Sequence, residues 1–167
     1  METMRIYLVF FTALIPLLVG ALWYSPILFG NAWMKIADMT EEKIKSSNMA
    51  LIFGLTYLLG ILASFVLGTI VVHQSHLYSI LADEPGYGDP NSEIGRFIAG
   101  FMEKYGQNFR TFKHGVLHGT IAALFLALPV LGINALFERR GFKYIALHAS
   151  YWVVCFALIG GILCQWM

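Results

Sequence analysis

The stretch of sequence that decides the fold is residues 49–72, MALIFGLTYLLGILASFVLGTIVV, which contains no Lys, Arg, Asp or Glu. A helix rises about 1.5 Å per residue, so roughly 20 apolar residues cross a hydrocarbon core about 30 Å thick. Three more stretches share this character, at residues 6–24, 116–137 and 144–166. The sequence therefore predicts an all-α integral membrane protein with four spans packed as a four-helix bundle.

The composition agrees with a membrane protein. Charged residues make up 13% of the 167 residues, whereas soluble domains average about 25%. The formal net charge is only +1, and no basic cluster indicates a nucleic-acid surface. We therefore expect a single membrane domain over residues 1–167, with the lipid bilayer as a partner and no nucleic acid.

A polar insert of about 73–111 separates the second and third spans. Its residues 83–90 contain two prolines and two glycines and predict an irregular loop. Ser92 then resembles a helix cap, and apolar residues follow it at spacings of three and four, as in an amphipathic helix. Such a helix lies in the membrane interface or docks onto the spans, and the sequence leaves both arrangements open.

Local signals predict helix ends and kinks. Thr40 precedes a polar helical turn, and either Asn48 or Ser47 precedes the second span; all three are residue types that cap helix N-termini. Pro16 lies inside the first span and predicts a kink near Thr12, because proline removes a backbone donor. Pro129 predicts a second kink in the third span.

Small residues recur at four-residue spacing on the predicted spans. Such spacing lets neighbouring helices approach closely. The residues are Gly60, Ser64, Gly68, Gly115, Gly119, Ala157 and Gly161. These faces exceed what one compact bundle obviously needs. Our leading hypothesis is therefore a non-enzymatic protein that acts through self-association, as a homo-oligomer, or as a subunit of a larger membrane complex.

Four of the five histidines fall near one end of the predicted bundle. His114 and His118 are four residues apart on one helix face, and His73 and His76 follow the second span. Imidazoles are zinc ligands, so a metal site is one hypothesis, and interfacial polar groups without metal are the other. A carboxylate from Asp83, Glu84 or Asp89 would complete such a site. A histidine-metal membrane enzyme is thus an alternative function; otherwise we expect no cofactor.

Three polar side chains lie inside the predicted spans, at His118, Asn134 and His148. Asn134 and His148 are each seven residues from Gly141 in a tight hairpin, which predicts that they lie at the same depth. If their helix faces also meet, a hydrogen bond between them satisfies both polar groups inside the membrane. The same three residues could instead line a path for a proton, metal ion or small molecule, as in a transporter or channel subunit. No catalytic motif is present, and we assign no catalytic residues.

Basic residues give the expected orientation. The side shared by the termini and the insert carries five, Arg5, Arg96, Lys104, Arg110 and Lys113. The other side carries six, Lys35, Lys43, Lys45, Arg139, Arg140 and Lys143, three of them in a short turn. Because Lys and Arg favour the cytoplasmic side, we expect both termini outside.

Residues 20–33 read GALWYSPILFGNAW. With residues 40–42, 48–50 and 134–138 and the aromatic start of the fourth span, this block resembles a family of small, mainly bacterial membrane proteins catalogued as domain of unknown function 1761. The resemblance covers most of the chain and is weakest over 73–110. It implies a compact four-helix domain in the bacterial cytoplasmic (inner) membrane, and it implies no activity, substrate or cofactor.

Overall fold

The computed structural model describes residues 5–167, so residues 1–4 of the predicted domain lie outside the described part. The described chain is all-α, and no strand occurs in it. In chain order the helices are α1 Tyr7–Thr12, α2 Ile15–Trp23, α3 Gly30–Ile36, α4 Glu41–Lys45, α5 Met49–Val71, α6 Gln74–Ile80, α7 Glu93–Tyr105, α8 Phe112–Ala122, a π-helical segment Ala123–Ala127, α9 Leu128–Phe137 and α10 Phe142–Trp166.

Three helices in the described chain are long and apolar enough to cross a membrane: Met49–Val71, Phe112–Phe137 and Phe142–Trp166. They confirm the predicted all-α character and are compatible with a membrane protein. The first predicted span differs, because it consists of the two short helices α1 and α2, which break at Ala13 and Leu14. Pro16 has no N–H to donate to the carbonyl of Thr12, so the break follows from the proline.

The second proline also changes its helix. The π-helical segment Ala123–Ala127 lies directly before Pro129, at the second position of α9. Proline cannot continue the regular hydrogen bonding of the preceding turn, and a wider turn is one way for a helix to absorb this. The predicted kink in the third span is therefore a π-helical turn.

The predicted helix caps are confirmed. The side chains of Thr40, Asn48 and Ser92 accept hydrogen bonds from backbone N–H groups in the first turns of α4, α5 and α7. The irregular loop before Ser92 is present as well. Helix α6 was not predicted; it lies at the start of the polar insert, after the two residues that follow α5.

Helix α8 packs against α10 through glycines. A Cβ on Gly115 would overlap the backbone of Gly160, and one on Gly119 would lie 2.6 Å from the carbonyl carbon of Phe156. The same added Cβ on Gly119 would lie 3.1 Å from the Cα atom of Ala157. Gly161 faces the ring of Phe112. These close approaches fix the antiparallel pairing and the rotation of α8 against α10.

The small residues of α5 also face other parts of the same chain. Gly60 lies against the backbone of Ala13, and Gly68 lies against Met167 and Leu163. Ser64, between them, is fully buried. These contacts occupy the face that was expected to be available for self-association.

The chain directions define two ends of the molecule. The backbone N–H of Arg5 donates to the carbonyl of Met167 at 3.2 Å, and Gly68 packs on Met167. This end, which carries the insert, is called the insert end. The opposite end carries residues 138–141 between α9 and α10 and is called the turn end. There the Arg140 guanidinium pairs with the Asp38 carboxylate.

Candidate functional site

Three histidines meet at the insert end. His73 comes from the start of α6, and His114 and His118 come from α8. One ring nitrogen from each lies within 4.8 Å of the others. The ring centroids are 5.1 Å apart for His73 and His114, 4.8 Å for His73 and His118, and 4.5 Å for His114 and His118. These residues are called the histidine cluster.

Local sequence sets the two histidines of α8. The Thr111 hydroxyl accepts the backbone N–H of His114 at 3.3 Å and so begins the helix one turn before it. The four-residue spacing then places His114 and His118 on one face. Each is followed by a glycine that packs on α10. The glycines therefore turn the imidazoles away from α10 and towards the end of α5.

His73 reaches the cluster from the short connection between α5 and α6. The Ser75 hydroxyl donates to the carbonyl of Val72 at 2.7 Å. The Gln74 amide donates to the carbonyl of Asn108 at 2.9 Å, which ties this connection to the segment after α7. His73 is therefore held by both ends of the polar insert.

The other predicted ligands lie outside the cluster. The Nδ1 atom of His76 lies 3.3 Å from the carbonyl oxygen of His73, so this ring contacts the backbone of its own segment. In the described chain, the group that can hold a metal contains neither His76 nor the carboxylates of Asp83, Glu84 and Asp89. His76 is three residues after His73, but the helix directs its ring to a backbone acceptor.

Phe109 borders the cluster in an unusual backbone conformation. Its φ is 61°, a left-handed value that is rare for a bulky residue and costs of order 1–3 kcal/mol. Its ring centroid lies 5.1 Å from that of His114. The Phe109 carbonyl accepts hydrogen bonds from the Thr111 backbone N–H at 2.8 Å and from the Cys164 thiol at 3.3 Å. The strained backbone thus presents an aromatic ring to the histidines.

The cluster has the chemistry and size of a metal site. Tetrahedral Zn²⁺ with Zn–N bonds of about 2.0–2.1 Å needs its ligand nitrogens about 3.3 Å apart. The three ring nitrogens lie within 4.8 Å of one another, so small side-chain rotations bring them to the distance that Zn²⁺ requires. Nε2 of His114 is buried without a hydrogen-bond partner. Burial and the neighbouring imidazoles of His118 and His114 lower the pKa of His73 below its ordinary value. A lowered pKa favours the neutral imidazole that binds metals.

A groove of about 490 Å³ runs alongside the cluster between α6 and α7. His73 and Phe109 form part of its wall, and the Phe109 ring also lies beside His114. The remaining wall is mostly apolar, from Leu77, Ile80, Phe101 and Tyr105. The groove therefore connects the histidine cluster with an apolar surface beyond the end of α5.

The structure does not pair Asn134 with His148. Gly132 packs against Ile145, which places Asn134 near the level of Lys143 and about 7 Å from the level of His148. Asn134 is exposed on α9. His148 Nδ1 instead lies 2.9 Å from the hydroxyl of Tyr24. The predicted equal depth of Asn134 and His148 is wrong because the turn is not symmetric about Gly141.

Tyr24 was not predicted to be the partner of His148. The only signal was its place beside Ser25 and Pro26, where the first apolar stretch ends. His118 and His148 also lie at different depths. The pairing of Gly119 with Phe156 places His118 about 13 Å from the level of His148 along the bundle.

Comparison with known proteins identifies the family alone. No curated protein and no solved structure matches the chain. A family model described as "Protein of unknown function (DUF1761)" matches residues 7–164, nearly the whole chain. The histidine cluster, the Tyr24–His148 pair and the described helices, apart from the last two residues of α10, fall within this match. The chain therefore belongs to the DUF1761 family.

Proposed function

We propose that this protein is a histidine-metal membrane protein that binds a divalent transition metal, with Zn²⁺ preferred, at His73, His114 and His118. The proximity of three imidazole nitrogens from two separate parts of the chain carries the proposal. Three protein ligands leave one position of a tetrahedral ion open, as in catalytic zinc sites. The metal would bind and polarise a water or an anionic ligand there.

The proposal places this centre in a four-helix membrane bundle, with α1 and α2 together as the fourth span. Contacts along the length of α10 support this. Arg5 bonds Met167 at one end, the Tyr151 hydroxyl donates to the Pro16 carbonyl at 2.7 Å, and Tyr24 reaches His148 towards the other end. Because α1 and α2 together extend along α10 in this way, they are long enough to cross the membrane, although the helix is interrupted between them.

We further propose that α7 is an interfacial helix in the bacterial inner membrane. Its aromatic side chains Phe97, Phe101 and Tyr105 are 54%, 36% and 40% exposed, and its main helix contact is with α6. An exposed aromatic stripe at the end of the spans suits the headgroup region. On the count of basic residues, the termini and the histidine cluster face the outside.

Metal analysis tests the function. The purified protein is reconstituted with Zn²⁺, washed, and measured by mass spectrometry of the metal per chain. We expect one ion in the unmodified protein and a loss of stoichiometric binding in H73A, H114A and H118A. His76→Ala is the matched control, because it removes a neighbouring histidine outside the cluster, and it should retain the ion. Equal metal content in all variants, or none in the unmodified protein, would refute the site.

A second candidate function, self-association, has one observation in its favour. Asn134 is exposed on the outer face of α9, and no hydrogen bond to its side chain occurs within the described chain. An amide on a membrane-facing surface gains from a partner on another helix. We infer that the Asn134 face is where a second copy, or a subunit of a larger complex, would pack. The small-residue faces no longer support this role, since they are used within the chain.

Native mass spectrometry and crosslinking in membranes test this second function. A homo-oligomer that weakens in Asn134→Leu but not in Leu126→Ala, an exposed change elsewhere on the same helical span, would support it. Only monomer in both experiments would rule it out. The result is independent of metal content, so the two candidate functions are separable.

A further inference from the structure

The groove between α6 and α7 has one polar end and an otherwise apolar wall. The polar groups belong to His73, Gln74 and Asn108, and the Gln74 amide is already bonded to the Asn108 carbonyl. In the proposed centre, His73 at this end holds the metal. A polar solute would find few partners along the rest of the groove.

The apolar wall of the groove has the position and the exposure expected of a surface that binds an acyl chain from the bilayer. Ile80 is 76% exposed although it lines the groove, and Phe101 and Tyr105 are also exposed. Helix α6 follows the long helix α5 after only Val72 and His73, so this wall begins where a membrane span ends. An acyl chain that leaves the bilayer at this end would meet the groove first.

The size of the groove favours a single chain. About 490 Å³ lies within the range of roughly 300–1,000 Å³ that pockets for one small ligand occupy. Phe109 joins the two parts of the site, since it lines the groove and its ring lies against His114. A chain along Leu77 and Phe101 would thus direct its head towards the histidine cluster.

We propose that the groove binds a single-chain amphiphile with a carboxylate head, of the fatty-acid class, and that the carboxylate occupies the open coordination position of the metal. This inference rests on the proposed metal centre, and it adds the identity of the ligand. Carboxylate oxygen is an ordinary zinc ligand at about 2.0–2.2 Å, and binding exchanges it for a metal-bound water without any redox step. The apolar wall supplies the selectivity for a long chain.

Cobalt substitution tests the metal and the ligand separately. The protein in phosphatidylcholine nanodiscs is loaded with Co²⁺, whose visible absorption reports tetrahedral nitrogen ligation, and is then titrated with laurate, acetate or dodecanol. We expect laurate to shift the cobalt bands at a midpoint at least tenfold lower than acetate. Dodecanol, which has the chain but no carboxylate, should leave the bands in place.

Groove variants complete the design. Leu77→Trp fills the groove, and Ile80→Trp is the alternative at an exposed position that tolerates a large side chain. Either should raise the laurate midpoint at least tenfold and leave the acetate midpoint and the cobalt bands unchanged. Leu58→Trp, an exposed site on α5 away from the groove, is the matched control and should behave like the unmodified protein.

The failures are distinguishable. If no cobalt absorption develops, the metal centre itself is wrong, and the ligand proposal falls with it. If cobalt binds but laurate and acetate shift the bands equally, or the groove variants have no effect, the metal centre stands and the fatty-acid proposal is overturned.

Discussion

Replacing Gly119 with alanine tests how the helix packing supports the histidine cluster. The new Cβ would overlap the carbonyl oxygen of Phe156 and would lie 2.6 Å from the carbonyl carbon of the same residue and 3.1 Å from Cα of Ala157. Ordinary contact begins at 3.4 Å, so the carbonyl carbon alone requires α8 and α10 to separate by about 0.8 Å at this point, and the overlap with the oxygen requires more. Overpacking of this kind costs about 1–3 kcal/mol, because both neighbours are backbone atoms that cannot rotate away. His118 is the preceding residue, so the shift also moves a proposed ligand.

The assay is unfolding in mixed micelles with increasing SDS, followed by tryptophan fluorescence, together with Co²⁺ titration. We expect G119A to lose about 1–3 kcal/mol of unfolding free energy and to bind Co²⁺ more weakly. Gly132→Ala is the matched control on the same span, since its Cβ would meet only Ile145 at 3.8 Å. Gly54→Ala, with nothing within 4 Å, is a second control. Equal stability of G119A and G132A would refute the packing argument.

Three further predictions follow from contacts at the two ends of the molecule. Tyr24→Phe removes the hydroxyl bonded to His148 and should lower the unfolding free energy by about 0.5–1.5 kcal/mol in the same assay; an unchanged value would show that this hydrogen bond is not formed. Phe109→Gly relieves the strain of the left-handed backbone and removes the ring beside His114, so we expect weaker Co²⁺ binding without a loss of stability. An unchanged Co²⁺ titration would contradict this expectation. Removal of the metal with EDTA should lower the midpoint of thermal unfolding in the unmodified protein, and readdition of Zn²⁺ should restore it, because a ligand that binds only the folded state stabilises that state; no change on either step would count against a bound ion.

Local physics explains which features of the fold were predictable. A stretch without charges in a helical chain must be in lipid or in a core, and this depends on composition alone, so the three long helices were predicted. The caps at Thr40, Asn48 and Ser92 depend on side chains within three residues of the N–H they bond. The break before Pro16 likewise needs only the missing proline donor. Its extent, which divides the first apolar stretch into α1 and α2, was not predictable from the sequence.

The sequence by itself determined that His114 and His118 share a face, because a four-residue spacing is one helical turn. Only the tertiary structure decided that His73 joins them while His76 does not, since this depends on the rotation of α8 that its glycines set against α10. The same holds at the turn end. There the packing on α10 brings His148 within hydrogen-bond distance of Tyr24, and Asn134 stays exposed on α9. Spacing along one helix is a local property, whereas the meeting of side chains from different helices depends on rotation and register, which long-range packing fixes.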